Sequence, residues 1–118
     1  MNTNIMELTI YTVDAFTHQA FKGNPAAVCF LDAWLDDQTL QQIAQELNLS
    51  DTAYIVKNET DYDIRWFTPT REVELCGHAT LGTAHIMYTE FQLRGDIHFQ
   101  SPSGPIKVSQ VADDHYEI

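Results

Sequence analysis

The segment Arg65–Phe91, RWFTPTREVELCGHATLGTAHIMYTEF, decides the fold, because from Gly77 onward it reads as a helix of an unusual kind. Between Glu74 and Glu90 there is no Asp, Glu, Lys or Arg, and no proline interrupts the run. A helix that is apolar on every face has to be buried. It is too short and too rich in Thr and His for a membrane span, which needs roughly 20 apolar residues. The segment therefore predicts the central core helix of a soluble domain. Ala79, Gly82 and Ala84 keep this helix thin, so strands can wrap closely around it. The expected fold class is α+β, a mixed β-sheet rolled around one buried helix, with one further amphipathic helix.

The approach to this helix is rich in reactive groups. Pro69 biases Thr68 toward extended backbone, and Cys76, Gly77 and His78 fall at or near the helix start. Free backbone N–H groups and the positive end of the helix dipole converge there, which makes an anion site. A carboxylate or enolate would meet N–H donors from about Gly77 to Thr80, with the His78 imidazole beside them as proton donor or acceptor. The same field is expected to acidify a thiol at Cys76.

The 118 residues form a single expected domain, large enough for a core without staples. A formal net charge of −11 argues against nucleic acid and anionic membranes as partners, since both select basic surfaces. Cys29 and Cys76 lie far apart and show neither disulfide nor paired metal-ligand spacing, so a reducing cytoplasm is the expected compartment. The N-terminal MNTNIMELTI lacks the basic and long apolar regions of a signal peptide.

Outward from the central segment, ELTIYTV (7–13) alternates Leu8 and Ile10 with Thr9 and Tyr11, the period of a half-buried strand. Lys22, Gly23, Asn24 and Pro25 are turn formers, and Ala26 to Leu31 suits a buried strand. Gly23 permits close approach of a ligand, and the Asn24 amide both donates and accepts; a plain turn is the other reading of Gly-Asn-Pro. In DDQTLQQIAQELNL (36–49), Leu40, Ile43, Ala44 and Leu47 recur with helical spacing, with Asp36 or Asp37 to cap the start and Asn48 to end it. Leu49, Ser50, Asp51 and Thr52 then sit between this helix and a strand expected from about Ala53 to Val56. Asp51 is a candidate general acid/base there; alternatively, Ser50 and Asp51 only satisfy local backbone donors. A polar turn at Asn58–Asp61 precedes a strand through Tyr62, Ile64 and Trp66. After the buried helix, a turn at Arg94 and Gly95 leads into a hairpin through Ile97, Phe99, Ile106 and Val108, and HYEI is a last strand-like piece.

Three motifs in this order, VDAFTHQAFKGNPAAV (13–28), ELNLSDTAYIV (46–56) and IRWFTPTREVELCGHATLGTA (64–84), strongly resemble the N-terminal half of the PhzF-like isomerase family. That family is named for a phenazine-biosynthesis enzyme and is related in fold to diaminopimelate epimerase. The resemblance implies one of two pseudo-symmetric domains, each a mixed sheet around a central helix, with the active site in the cleft between them. It implies an isomerase that moves a proton on a small carboxylate-bearing substrate with no metal and no organic cofactor. The family's catalytic glutamate maps to Asp51, one methylene shorter here. His78 is the accompanying catalytic candidate; Ser50, Cys76, Gly77 and Ala79 match substrate-lining positions, and Asn24 matches the early Gly-Asn turn. The family's second domain has no counterpart within this sequence, so the facing wall of the cleft is expected from a missing C-terminal domain or from a second copy in a homodimer.

Other chemistries are weaker fits. Related epimerases use paired thiols, and one Cys76 is not a pair. Glu74, Cys76, His78 and His85 carry zinc-capable atoms, but two histidines seven apart on a buried helix fit a core or active-site role better. Besides the isomerase, two alternatives stand: a catalytically weak isolated N-terminal domain, and a non-catalytic small-carboxylate-binding module.

Overall fold

The computed structural model describes residues 8–14, 25–112 and 115–118. The candidate Asn24, with Gly23 beside it, lies outside these residues. Eight strands and two helices follow the order β1 (Ile10–Asp14), β2 (Pro25–Leu31), α1 (Asp37–Leu47), β3 (Asp51–Lys57), β4 (Tyr62–Phe67), β5 (Glu72–Val73), α2 (Gly77–Glu90), β6 (Ile97–Ser101), β7 (Gly104–Ala112) and β8 (His115–Glu117). The strands join in the spatial order β1-β2-β3-β4-β6-β7-β8, with β5 paired to β4. β2 and β3 are parallel neighbours bridged by α1, and β4 and β6 are parallel neighbours bridged by β5 and α2. The remaining pairings are antiparallel. The sheet is therefore mixed, as expected.

Strand alternation divides the core between the two helices. Val28, Ala53, Ile55, Ile64, Trp66, Phe99 and Val108 pack with Ala79, Ala84, Met87 and Tyr88 of α2. Cys29, Leu31, Tyr54, Val56 and Phe67 point to the opposite face, against Leu40 and Ala44 of α1. Along β3, successive residues from Ala53 to Val56 thus serve alternate layers, and all four are buried. Tyr54 fixes α1 further by donating from its hydroxyl to the Leu40 carbonyl at 2.8 Å.

α2 has the all-round burial its sequence predicts, at Ala79, Thr80, Gly82, Thr83, Ala84, Ile86, Met87 and Tyr88. Two threonines are tolerated inside because each hydroxyl donates to the carbonyl four residues back, Thr80 to Cys76 and Thr83 to Ala79, both at 2.8 Å. At Gly82 the sheet comes close to the helix: a Cβ built there would lie 2.8 Å from Val13 Cγ1 on β1.

Several local expectations need correction. β3 begins at Asp51, so Asp51 and Thr52 are strand residues and not part of a loop; their parallel pairing to Ala26 and Ala27 of β2 holds them in the sheet. In β1, Tyr11 and Val13 pack toward the α2 layer while Ile10 is exposed, so Ile10 is not on the buried face. Asp36 is the N-cap of α1 but makes no side-chain cap bond. Asn48 does end α1, in the left-handed conformation with its N–H on the Ala44 carbonyl. The Asn58–Asp61 turn is closed by Asn58 Oδ1, which accepts from the Thr60 and Asp61 N–H groups. At Ser101–Gly104 the hairpin turns with Gly104 at φ 109°, a conformation that favours glycine.

On the outer side of β4, Arg65 clamps α1 to the β4–β5 edge. Its guanidinium makes two 2.7 Å bonds to the Glu72 carboxylate and one of 3.0 Å to Asp37, and lies 5.3 Å from the ring centroids of both Trp34 and Phe67. This layer holds α1 in place.

Candidate functional site

The start of α2 and the start of β3 meet, and this junction assembles most of the candidate residues. Parallel pairing with β2 fixes the first residue of β3, and Asp51 shares the side of the strand used by Ala53 and Ile55, which faces α2. Its carboxylate Oδ2 lies 2.8 Å from His78 Nε2. Asp51 is buried and His78 is about 34% exposed, so the pair has a closed end in the core and an open end at the surface. Cys76, the extended N-cap of α2, places Sγ 3.6 Å from His78 Nδ1 and 3.8 Å from Nε2. Among the described residues the Asp51 carboxylate takes no local backbone donor, so the purely local role left open by the sequence is not the arrangement seen.

The backbone of the first turn is partly used. The Thr80 N–H closes the first helical bond to the Cys76 carbonyl at 3.1 Å, and the Ala79 N–H is directed at Cys76 Sγ. The donors expected from Gly77 to Thr80 thus reduce to Gly77 and His78, whose N–H groups have no partner among the described residues. Among the described residues a Cβ on Gly77 would meet only Ile118 Cδ1, at 3.8 Å, an ordinary contact, so their packing does not demand glycine at 77. Ser50 is exposed beside Asp51, whereas Ala79 is fully buried and reaches the site through its backbone.

The expected acidification of Cys76 does not occur. Burial, reinforced by the charge and hydrogen bond of Asp51, pushes the thiol up to about 11, and the Ala79 N–H offsets only part of this. Cys76 is accordingly held as a protonated thiol at neutral pH. Cys29, buried in the α1 layer, is also pushed up to about 11 by desolvation.

The zinc-capable set considered from sequence does not assemble as such. Glu74 is exposed and its carbonyl accepts from the Ser103 hydroxyl at 2.6 Å. The residues that do meet are Asp51, Cys76 and His78, one potential ligand atom from each lying within 4.8 Å of the others. Asp51 has no sequence signal of metal or acid/base spacing relative to Cys76 and His78; its position between α1 and the next strand, and its place in the ELNLSDTAYIV motif, pointed to it.

Comparison with known proteins identifies the family. The family model described as phenazine biosynthesis-like protein (PhzC-PhzF) matches residues 13–118. An uncharacterized isomerase of Pseudomonas aeruginosa is 53% identical over 109 residues, covering 92% of this chain and 42% of the relative. The human phenazine biosynthesis-like domain-containing protein is 44% identical over 117 residues, covering 92% of this chain and 41% of the relative. Among solved structures, a PhzF-family protein of Enterococcus faecalis superimposes with a TM-score of 0.83 at 49% identity, over 89% of this chain and 41% of that one. A predicted epimerase of Pseudomonas aeruginosa shares the fold at 20% identity, with a TM-score of 0.75 over 89% of this chain and 39% of that one. The chain thus spans about two fifths of the length of these relatives. With the family model covering nearly all of it and relatives close to half identical, the chain belongs to the phenazine biosynthesis-like (PhzF) family.

Proposed function

We propose that this chain carries one wall of an isomerase active site that moves a proton on a small carboxylate-bearing substrate without a cofactor. The observation that supports it most is the 2.8 Å Asp51–His78 pair at the mouth of α2, beside two N–H groups that have no partner among the described residues. A substrate carboxylate binds at the Gly77 and His78 N–H groups, where the helix dipole favours negative charge. Asp51 takes a proton from a neighbouring C–H, becoming a carboxylic acid, while the electron pair delocalises into the conjugated system of the substrate. The same proton then returns to a different carbon, and Asp51 is again a carboxylate. His78 orients the Asp51 carboxylate and donates to it. Ser50 and, by the motif it shares with the family, Asn24 line the substrate, with Cys76 and Ala79 forming the floor.

The other wall of the cleft comes from a second domain or from a second copy of the chain; the two-fifths coverage of the relatives supports this. No helix among the described residues is long and apolar enough to cross a membrane, and both cysteines are free.

The test follows loss of C–H signals from a panel of small unsaturated and α-substituted carboxylates in D2O by proton NMR, for the 118-residue chain at its measured solution mass. Deuterium incorporation that disappears in Asp51→Asn supports the proposal. One observation favours a second reading, a carboxylate-binding module: Asp51 is a methylene shorter than the family's glutamate, and a displacement of about 1 Å can cost about 10²-fold in rate. Binding of carboxylates with no exchange in either protein would establish that reading instead.

A further inference from the structure

The front of α2 holds a carboxylate, an imidazole and a thiol converging from two different elements. We propose that Asp51, Cys76 and His78 bind a thiophilic divalent cation of the zinc class through three protein ligands, leaving one coordination position open to the cleft.

The distances suit this. His78 Nε2 lies 2.8 Å from Asp51 Oδ2 and 3.8 Å from Cys76 Sγ. Tetrahedral zinc, with bonds of about 2.3 Å to sulfur and about 2.0 Å to nitrogen and oxygen, sets ligand–ligand edges of about 3.6 Å for S···N and about 3.3 Å for N···O. The existing separations need to close by about 0.2 Å on one edge and open by about 0.5 Å on the other, within the reach of a small rotation of the partly exposed imidazole. The other two ligands are positioned by backbone, Asp51 by its register with Ala26 and Cys76 by its place as the N-cap.

The donor set selects the ion. Thiolate and imidazole favour zinc, cobalt and cadmium over magnesium and calcium, which take oxygen ligands. The Asp51 carboxylate and a Cys76 thiolate together neutralise the two positive charges. On binding, the thiol proton passes to solvent as the S–metal bond forms. Bound to the metal, His78 would present the Nε2 lone pair and carry its ring hydrogen on Nδ1. His78 is about a third exposed, so water or a substrate carboxylate can complete the tetrahedron.

Occupancy ties up Asp51 Oδ2, so a bound cation stops proton transfer. That consequence rests on the function proposed above; the binding does not. The two are separated by measuring exchange in the presence of a chelator and metal uptake in the absence of substrate.

The deciding experiment titrates the metal-free 118-residue chain with zinc by calorimetry and with cobalt by absorption spectroscopy, alongside Cys76→Ser, His78→Gln and Asp51→Asn, each checked for folding by circular dichroism. Expected are one cation per chain, a thiolate-to-cobalt charge-transfer band absent in Cys76→Ser, and affinity weakened at least about tenfold in every folded variant. Uptake without the thiolate band, uptake unchanged in folded Cys76→Ser and His78→Gln, or no uptake at all would overturn the proposal. Should His78→Gln fail to fold, Cys76→Ser and the cobalt band of the unaltered chain still decide it.

Discussion

Gly82→Ala tests directly whether the sheet closes tightly on the central helix. The new Cβ would lie 2.8 Å from Val13 Cγ1, with Val13 Cγ2 and Cβ at 3.8 and 3.9 Å. Favourable carbon–carbon contact begins near about 3.5 Å, so the overlap is about 0.7 Å. Overpacking of this kind costs about 1–3 kcal/mol, against a gain of up to about 1 kcal/mol from replacing glycine by alanine within a helix. The expected net loss is about 1 kcal/mol. Val13→Ala removes the clashing Cγ1, so in that background the same Gly82→Ala change should stabilise by up to about 1 kcal/mol. A double-mutant cycle by urea denaturation, with m-values compared to confirm two-state behaviour, should give a coupling of about 1–3 kcal/mol between the two positions. Stabilisation by Gly82→Ala alone, or coupling below about 0.5 kcal/mol, would refute the close approach of β1 to α2.

Three further outcomes are expected. Both thiols have folded-state pKa values raised to about 11 from 9.0. Because the unfolded chain then loses protons first, stability is complete below about pH 9 and falls as pH rises from 9 toward 11, which chemical denaturation at a series of pH values will show; alkylation of Cys76 at pH 8 should be correspondingly about 10²-fold slower than for an unburied thiol. Arg65→Lys keeps the charge but loses the planar fork on Glu72 and the stacking between Trp34 and Phe67. It should lower stability by about 1–2 kcal/mol, measured by thermal or urea unfolding. Among the described residues Gly77→Ala meets only Ile118 Cδ1, at an ordinary 3.8 Å, so unfolding should change little; carboxylate binding, followed by NMR, should nonetheless weaken if the added methyl group crowds a ligand at the first turn of α2.

The central helix was legible in sequence because a charge-free run can only be stable when buried, and α1 was legible from its apolar spacing. The start of β3 was not, since Ser-Asp-Thr carries the composition of a loop; parallel pairing of Asp51 and Thr52 to Ala26 and Ala27 overrides it. The phase of β1 was likewise hidden. An alternating segment announces a strand but not which face the sheet buries, and Tyr11 and Val13, not Ile10, pack inward. At the site, Cys76 and His78 were visible as neighbours at a helix start. Their partner Asp51 comes from a strand, and its approach to His78 depends on tertiary packing that no local spacing encodes. The sign of the Cys76 shift was misjudged for the same reason: the helix field was evident, whereas the burial and the Asp51 charge that outweigh it exist only in the fold.

The most direct test of the Asp51–His78 site pairs binding with proton exchange in one sample. Carboxylates are titrated into the isotopically labelled chain while the Gly77 and His78 amide resonances and the substrate C–H signals are followed in mixed H2O and D2O. The expected result is that ligand shifts centre on these two amides, that the unaltered chain incorporates deuterium into the ligand, and that Asp51→Asn binds but exchanges about 10²-fold more slowly or not at all. Equal exchange by Asp51→Asn, or binding that leaves the first turn of α2 undisturbed, would contradict it.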